Sequence, residues 1–309
     1  MTFRKLSNAS ARDVFRYHQS LLADETRTSA YASAIERVVR DRIVLDLGCG
    51  TGILSLFAAR TGAKHVHAID EAPVILIAEQ IAAANGFADR ITFLSGSSYD
   101  VALPERAEVL VTETMGNTGL DEGIAGAVID ARQRLLIPDA ILIPRAIDII
   151  AAPAAIANRS FWATSPFGFD YSRVGDLAAN VFYARVIDRD QLVSAPQTIA
   201  RVELGDATDP SVKGDAQFTI ERDASISGIA IWFRAQLIDD LFVTNEPPNP
   251  CPSWKQAWFP LRDALDVTAH ESVHVEMHTF DGAEWRWRVR GRAGTREQAT
   301  IGNFPPLRA

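Results

Sequence analysis

Cysteine is nearly absent from this chain: 309 residues contain 2, Cys49 and Cys251. Two thiols cannot build the disulfide framework of a small secreted domain, and they fit a reducing compartment, so a cytoplasmic protein is expected. Basic charge is also short. Lys plus Arg number 31 against 39 Asp plus Glu, a formal net charge of −8. Such a surface does not displace counterions from phosphates, which argues against a nucleic-acid partner and leaves room for cationic ligands. No apolar run approaches the roughly 20 residues that span a bilayer. The opening stretch, MTFRKLSNASARDVF, lacks the apolar segment and cleavage site of a secretory leader. Neither a membrane partner nor secretion is therefore expected. Internal repeats and low-complexity tracts are missing too. What remains is a globular balance, with 47% hydrophobic and 23% charged residues, in a length that holds one large domain or two modest ones.

The two halves read differently. Up to about residue 144, strands are expected at 42–47, 65–69, 91–94, 109–112 and 140–143, with helices over 52–60, 74–85 and 125–135. That alternation predicts βαβ units around a mostly parallel sheet. Beyond Pro144 the apolar runs have strand character: 147–151, 216–221, 226–237, 255–261, 271–280 and 284–292. They predict an antiparallel, barrel-like domain. The expected division is 1–144 and 145–309. Residues 153–180 fit neither core, and their Phe161, Trp162, Phe167, Phe169 and Tyr171 suggest a packed interface. His270, His274 and His278 recur every four residues. On a strand that spacing is roughly 13 Å, too far to share one ion at bonds of roughly 2 Å, so no metal is expected.

The sharpest local pattern is Asp46-Leu47-Gly48-Cys49-Gly50-Thr51-Gly52, set between an expected strand and an expected helix. Glycines there let the backbone turn tightly and approach a ligand. A dinucleotide fingerprint needs Gly or Ala at the sixth position from Gly48, where Ile53 stands. A phosphate-binding P-loop needs a following Lys-Ser/Thr pair, which is missing. The spacing D-x-G-x-G-x-G suits S-adenosylmethionine, which has no pyrophosphate and carries an amino-acid group. Asp46, Gly48 and Gly50 are thus cofactor-binding candidates. Asp70 ends the second expected strand, where a carboxylate can accept both ribose hydroxyls.

A second pattern follows the strand ending at Thr112. Between Ala107 and Ala131 stand Glu108, Glu113, Asp121, Glu122 and Asp130, with no Lys, Arg or His. Carboxylates gathered without cations resist joint ionisation. A positively charged substrate group would complete them.

These residues resemble those of the protein arginine methyltransferases. That family carries two Glu separated by eight residues with Met-Gly soon after the first, as do Glu113, Met115-Gly116 and Glu122 here. GTGILSLFAARTGAKHVHAID (50–70) is similar to its cofactor segment, and HQSLLADETRT (18–28) to the helix before its first strand. Trp254-Lys255-Gln256 resembles a run in its barrel, and residues 166–171 its aromatic arm. The resemblance covers most of the chain. It implies a Rossmann-like class I methyltransferase domain followed by an antiparallel β-barrel-like domain, α/β overall, and an S-adenosylmethionine-dependent N-methyltransferase acting on a guanidino nitrogen. An arm at about 155–185 implies a homodimer. By resemblance, Arg27 pairs with the cofactor carboxylate, Asp70 binds ribose, and Met115 packs near the methyl-donor end. His18, Ser98 and Tyr99 belong to the cofactor side. Glu113 and Glu122 are the catalytic pair and, with Trp254, the substrate side.

Three departures accompany the likeness. Pro252-Ser253-Trp254 stands where the family has Thr-His-Trp, so the histidine's role must pass to another group or to solvent. The family's Tyr-Phe-x-x-Tyr helix is not matched at residues 8–17. Ser97-Ser98-Tyr99-Asp100 replaces a stretch holding the family's adenine-binding glutamate, with Asp100 or Tyr99 as substitutes. The acceptor stays open between protein-bound arginine, free arginine or a small guanidino compound, and an amino group of a ribosomal or other protein. A scaffold without turnover is the remaining alternative.

Overall fold

The structure is a computed structural model that describes residues 8–156, 161–248 and 251–300. Two helices, α1 (Asn8–Ala23) and α2 (Glu25–Val38), precede the first strand. Asp24 separates them because its carboxylate accepts the Arg27 N–H at 3.0 Å, capping α2. On α2, Arg27, Tyr31, Ala34 and Ile35 share the buried stripe that helical spacing produces.

Next come β1 (Ile43–Leu47), α3 (Ile53–Thr61), β2 (His65–Asp70), α4 (Ile75–Ala84), β3 (Ile91–Ser95), β4 (Ala107–Thr112), α5 (Ile124–Arg134) and β5 (Leu136–Ile143). The five strands form one parallel sheet in the order β3-β2-β1-β4-β5. Central β1 is buried along its whole length, as parallel strands are. The order reverses between β1 and β4, so the loops after these strands lie side by side at the C-terminal edge. The strand expected at 140–143 begins earlier, at Leu136. Exposed Pro138 and Asp139, the latter at φ 60°, interrupt its apolar pattern and hide the start.

The change of sheet falls between Ile143 and β6 (Ala146–Ala154). The strands β7 (Tyr183–Arg185), β8 (Gln197–Glu203), β9 (Val212–Thr219), β10 (Ala224–Ile238), β11 (Leu241–Thr244), β12 (Gln256–Val267), β13 (Ser272–Thr279), β14 (Trp285–Gly291) and β15 (Gly294–Ala299) follow, with α6 (Ser172–Ala178) before β7. They build a 6-stranded sheet, β7-β12-β10-β6-β8 with β11 on β10, and a 4-stranded sheet, β15-β14-β13-β9, all antiparallel. β8 packs beside β9 and β12 beside β15, which brings the sheets onto one core. There Trp285 and Trp287 each meet the edge of Phe259 at 5.3 Å between ring centres. Among the strands that were not expected, β8 and β15 each bury only a small part of their residues, and β15 (GTREQA) has no apolar run.

Part of the expected arm, 157–160, lies outside the described residues. Its described part turns Phe161, Phe167 and Phe169 outward, with Phe167 98% exposed at φ 55°. His270 sits in the turn before β13, His274 bonds Asp215 at 2.8 Å, and the His278 ring lies 4.1 Å from Phe280. Among the described residues, no helix is long and apolar enough to cross a membrane.

Candidate active site

A cavity of about 590 Å³ opens at the C-terminal edge of the parallel sheet. Its walls come from α1, α2, the loops after β1, β2, β3 and β4, and the start of α5. Gly48, Gly50 and Gly52 adopt φ of 75°, 54° and 83°. A Cβ on Gly48 would fall 2.6 Å from the Thr114 methyl, and one on Gly50 would fall 3.0 Å from the His18 ring. Glycine is therefore required twice over, by conformation and by space. The same close approach presses the loop after β4 against the glycine loop. Asp70 accepts the Gly50 N–H at 2.7 Å with one oxygen and the Ala72 N–H at 2.8 Å with the other. Asp70 thus sets the shape of the glycine loop. Burial lowers the His18 pKa, with Asp70 opposing and Arg27 reinforcing the shift, which favours a neutral ring beside Gly50.

At the other end stand Glu113, Glu122, Arg27 and Tyr17. Arg27 pairs with Glu113, donates to the Leu21 carbonyl at 2.9 Å, and holds its guanidinium carbon 5.7 Å from the Trp254 ring centre. Burial pushes the Glu113 carboxyl up to about 7; Glu122 adds to the rise, while Arg27 and the Met115 N–H oppose it. Burial, then Asp121, pushes Glu122 to about 7 as well, against a hydrogen bond from the Tyr17 hydroxyl. Glu113 is largely buried beside Arg27 and Glu122 is more exposed, and a hydrogen-bonding cation placed between them would favour the charged form that desolvation disfavours.

The acid loop is braced from behind, and for Asn117 and Asn245 sequence reasoning gave no sign of it. Fully buried Asn245 donates to the Asn117 carbonyl at 2.9 Å and the Lys255 carbonyl at 2.6 Å, and accepts the Phe233 N–H at 2.9 Å. The Asn117 side chain accepts the Lys255 N–H at 2.8 Å. Ser253 donates its hydroxyl and N–H to one oxygen of Asp24, at 2.6 and 3.1 Å, while the other oxygen caps α2 at Arg27. The serine at the family's histidine position thus reaches Arg27 through Asp24. No local sequence pattern marks Asn245.

Of the expected site residues, His18, Arg27, Gly48, Gly50, Asp70, Ser98, Tyr99, Glu113 and Glu122 line the cavity. Asp46, Met115 and Trp254 do not; they stand behind its wall. Asp46 is buried, accepts the Ser55 hydroxyl at 2.6 Å, and is pushed up to about 7 by burial, so it braces the glycine loop onto α3. Met115 packs in the core and reaches the site through its N–H on Glu113. Trp254 is buried edge-on to Phe233 at 4.9 Å, beneath Arg27. These three were expected as contacts, but each is packed into the core behind the wall. After β3 the lining residues are Gly96, Ser97, Ser98 and Tyr99; Asp100 is not among them.

The cradle fits an adenosyl amino acid. Side-chain-free glycines let a ligand lie close to the backbone, Asp70 faces the cavity beyond them, and Arg27 offers a buried cation whose Nε has no partner among the described residues. Fold and cavity define a class I, S-adenosylmethionine-dependent methyltransferase.

Comparison with known proteins narrows the class. The family described as the arginine methyltransferase oligomerization subdomain matches residues 154–289, and the ribosomal protein L11 methyltransferase family matches residues 25–118. The chain is 30% identical over 286 residues to protein arginine N-methyltransferase 1 of Saccharomyces cerevisiae, spanning 86% of this chain and 80% of that protein. It is 31% identical over 288 residues to protein arginine N-methyltransferase 1 of Chlamydomonas reinhardtii, at 87% and 82%. Among solved structures, the Trypanosoma brucei PRMT1 enzyme–prozyme heterotetrameric complex with AdoHcy superposes with a TM-score of 0.83 at 23% identity, covering 92% of this chain and 96% of that one. The chain belongs to the protein arginine methyltransferase family.

Proposed function

We propose that this enzyme methylates a guanidino nitrogen of arginine, held between Glu113 and Glu122. The observation that carries the reading is this pair of carboxyls on one cavity wall, Glu113 largely buried and Glu122 more exposed, both pushed up to about 7 and set beside the glycine cradle. A guanidinium is planar, stays protonated and presents five donors in a fixed fork. Two carboxylates accept from it and draw positive charge toward the bound nitrogens, leaving the remaining nitrogen more nucleophilic. Arg27 compensates Glu113 and orients it, and Tyr17 orients Glu122. S-adenosylmethionine, when bound, supplies an electrophilic methyl group. Glu122, half neutral near pH 7, is matched to take the proton that the acceptor nitrogen loses. Proximity and electrostatics carry the acceleration, with no covalent enzyme intermediate.

The L11-type match spans the cofactor half and part of the acid loop, so an amino acceptor is the reading to set against this one. The test is transfer of labelled methyl to free arginine, an arginine-rich peptide and a lysine peptide. Label on the arginine acceptors is expected. Label on lysine alone, or none from protein that binds S-adenosylhomocysteine, would reject the guanidino reading. The exposed Phe161, Phe167 and Phe169 of the arm fit a second copy of the chain, making a homodimer. Light scattering that reports a monomer at micromolar concentration would reject that assembly.

A further inference from the structure

The loop after β3 contributes Gly96, Ser97, Ser98 and Tyr99 to the cavity, yet it has no regular structure of its own. Its place in the sheet gives it a task. The glycine loop follows β1, Asp70 ends β2, and β3 is the next strand outward. With ribose on the β2 acid, the base lies toward the loop after β3. No acid lines that wall, so its shape and backbone must receive the nucleoside.

The loop is held from α5. Arg134, the last residue of that helix, donates to the Ser98 carbonyl at 2.7 Å and to the Val101 carbonyl at 2.9 Å. Its guanidinium is aimed by Asp130, one helical turn back, through an Nε hydrogen bond of 2.8 Å. The Tyr99 hydroxyl lies 3.1 Å from where a Cβ on Gly126 would stand, so the loop also rests on a bare patch of α5. The other end of α5 begins two residues after Glu122. One helix therefore joins the acceptor acids to the nucleoside wall. A planar fork can grip two carbonyls at once, which an ammonium cannot do in the same geometry.

We infer that Arg134 is a positioning residue for the nucleoside end of the cofactor, fixing the Gly96–Val101 wall through the Ser98 and Val101 carbonyls. This rests on the S-adenosylmethionine assignment. The test is calorimetric titration of the full chain with two probes: S-adenosylhomocysteine, and 5′-methylthioadenosine, which keeps the nucleoside and lacks the amino-acid group. Arg134→Ala should weaken both by about tenfold, the cost of two hydrogen bonds that order the wall. Arg134→Lys should recover part of the loss. Arg27→Ala, at the residue that the family resemblance sets against the amino-acid group, should weaken S-adenosylhomocysteine more than 5′-methylthioadenosine. Affinities in Arg134→Ala within about twofold of the unsubstituted protein would overturn the inference. So would a loss confined to S-adenosylhomocysteine, or a loss that follows a large fall in melting temperature and is not recovered by lysine. No binding by the unsubstituted protein would instead sink the cofactor assignment itself, and would show before any substitution is made.

Discussion

Among the described residues, the chain between Val14 and Ala127 supplies every side chain that lines the cavity, and the antiparallel half supplies none. The antiparallel half reaches the same site from behind. Asn245 and Lys255 hold Asn117, Ser253 holds Asp24, and Phe233 and Gly282 close against Gly119 and Leu120 of the acid loop. The difference follows from sheet geometry. Parallel strands all end at one edge, so their loops converge and can share a ligand. Antiparallel strands turn back at both ends and offer a broad, rigid face instead. The first half therefore carries the chemistry, and the second sets the angles at which it is presented.

The largest effect expected is from the first half. Glu122→Gln keeps the shape and removes the charge, so turnover should fall by roughly 10³-fold while S-adenosylhomocysteine affinity is retained. In the unsubstituted enzyme, kcat/KM for the acceptor should rise with pH through about 7, because Glu113 and Glu122 are neutral below it and charged above it. Stability should move the other way. A carboxyl raised from 4.5 to about 7 on folding adds stability fully below 4.5 and loses it as pH climbs through about 7. Urea midpoints should fall across that window, and a rate that stays flat between pH 6 and 8 would remove the paired acids from the mechanism.

A smaller effect should come from the second half. Asn245→Ala leaves the Phe233 N–H and two carbonyls without partners in a buried place, which should cost about 2–3 kcal/mol of stability. At temperatures where the variant is folded, turnover should drop by about tenfold through misplacement of the acid loop, with cofactor affinity unchanged. If calorimetry finds cofactor affinity reduced as much as turnover, the division of labour between the halves is wrong.

Much of the cofactor side was legible because its constraints are local. The glycine loop, the acid at the end of β2 and the alternation of strands and helices each occupy a few adjacent residues. The acid pair was nominated by its likeness to a family motif, and Asp46, Met115 and Trp254, expected beside the ligand, stand behind the cavity wall. The bracing was not legible. Arg27 meets Glu113 across 86 positions, Asn245 meets Asn117 across 128, and Ser253 meets Asp24 across 229. Edge strands such as β15, polar on most of their length, left no periodic signal either.

The sequence by itself determined the kind of sheet and the cofactor class, and by family resemblance it nominated the two acids, since periodicity, glycine at left-handed turns and motif spacing act within a few residues of chain. Only the tertiary structure decided that those acids share one cavity wall, that Arg27 compensates Glu113, and that a serine and an asparagine from the antiparallel half hold the arrangement. Desolvation depends on what packs around a side chain, here chain segments far apart in sequence, and it is the main cause that pushes the Glu113 and Glu122 carboxyls up to about 7.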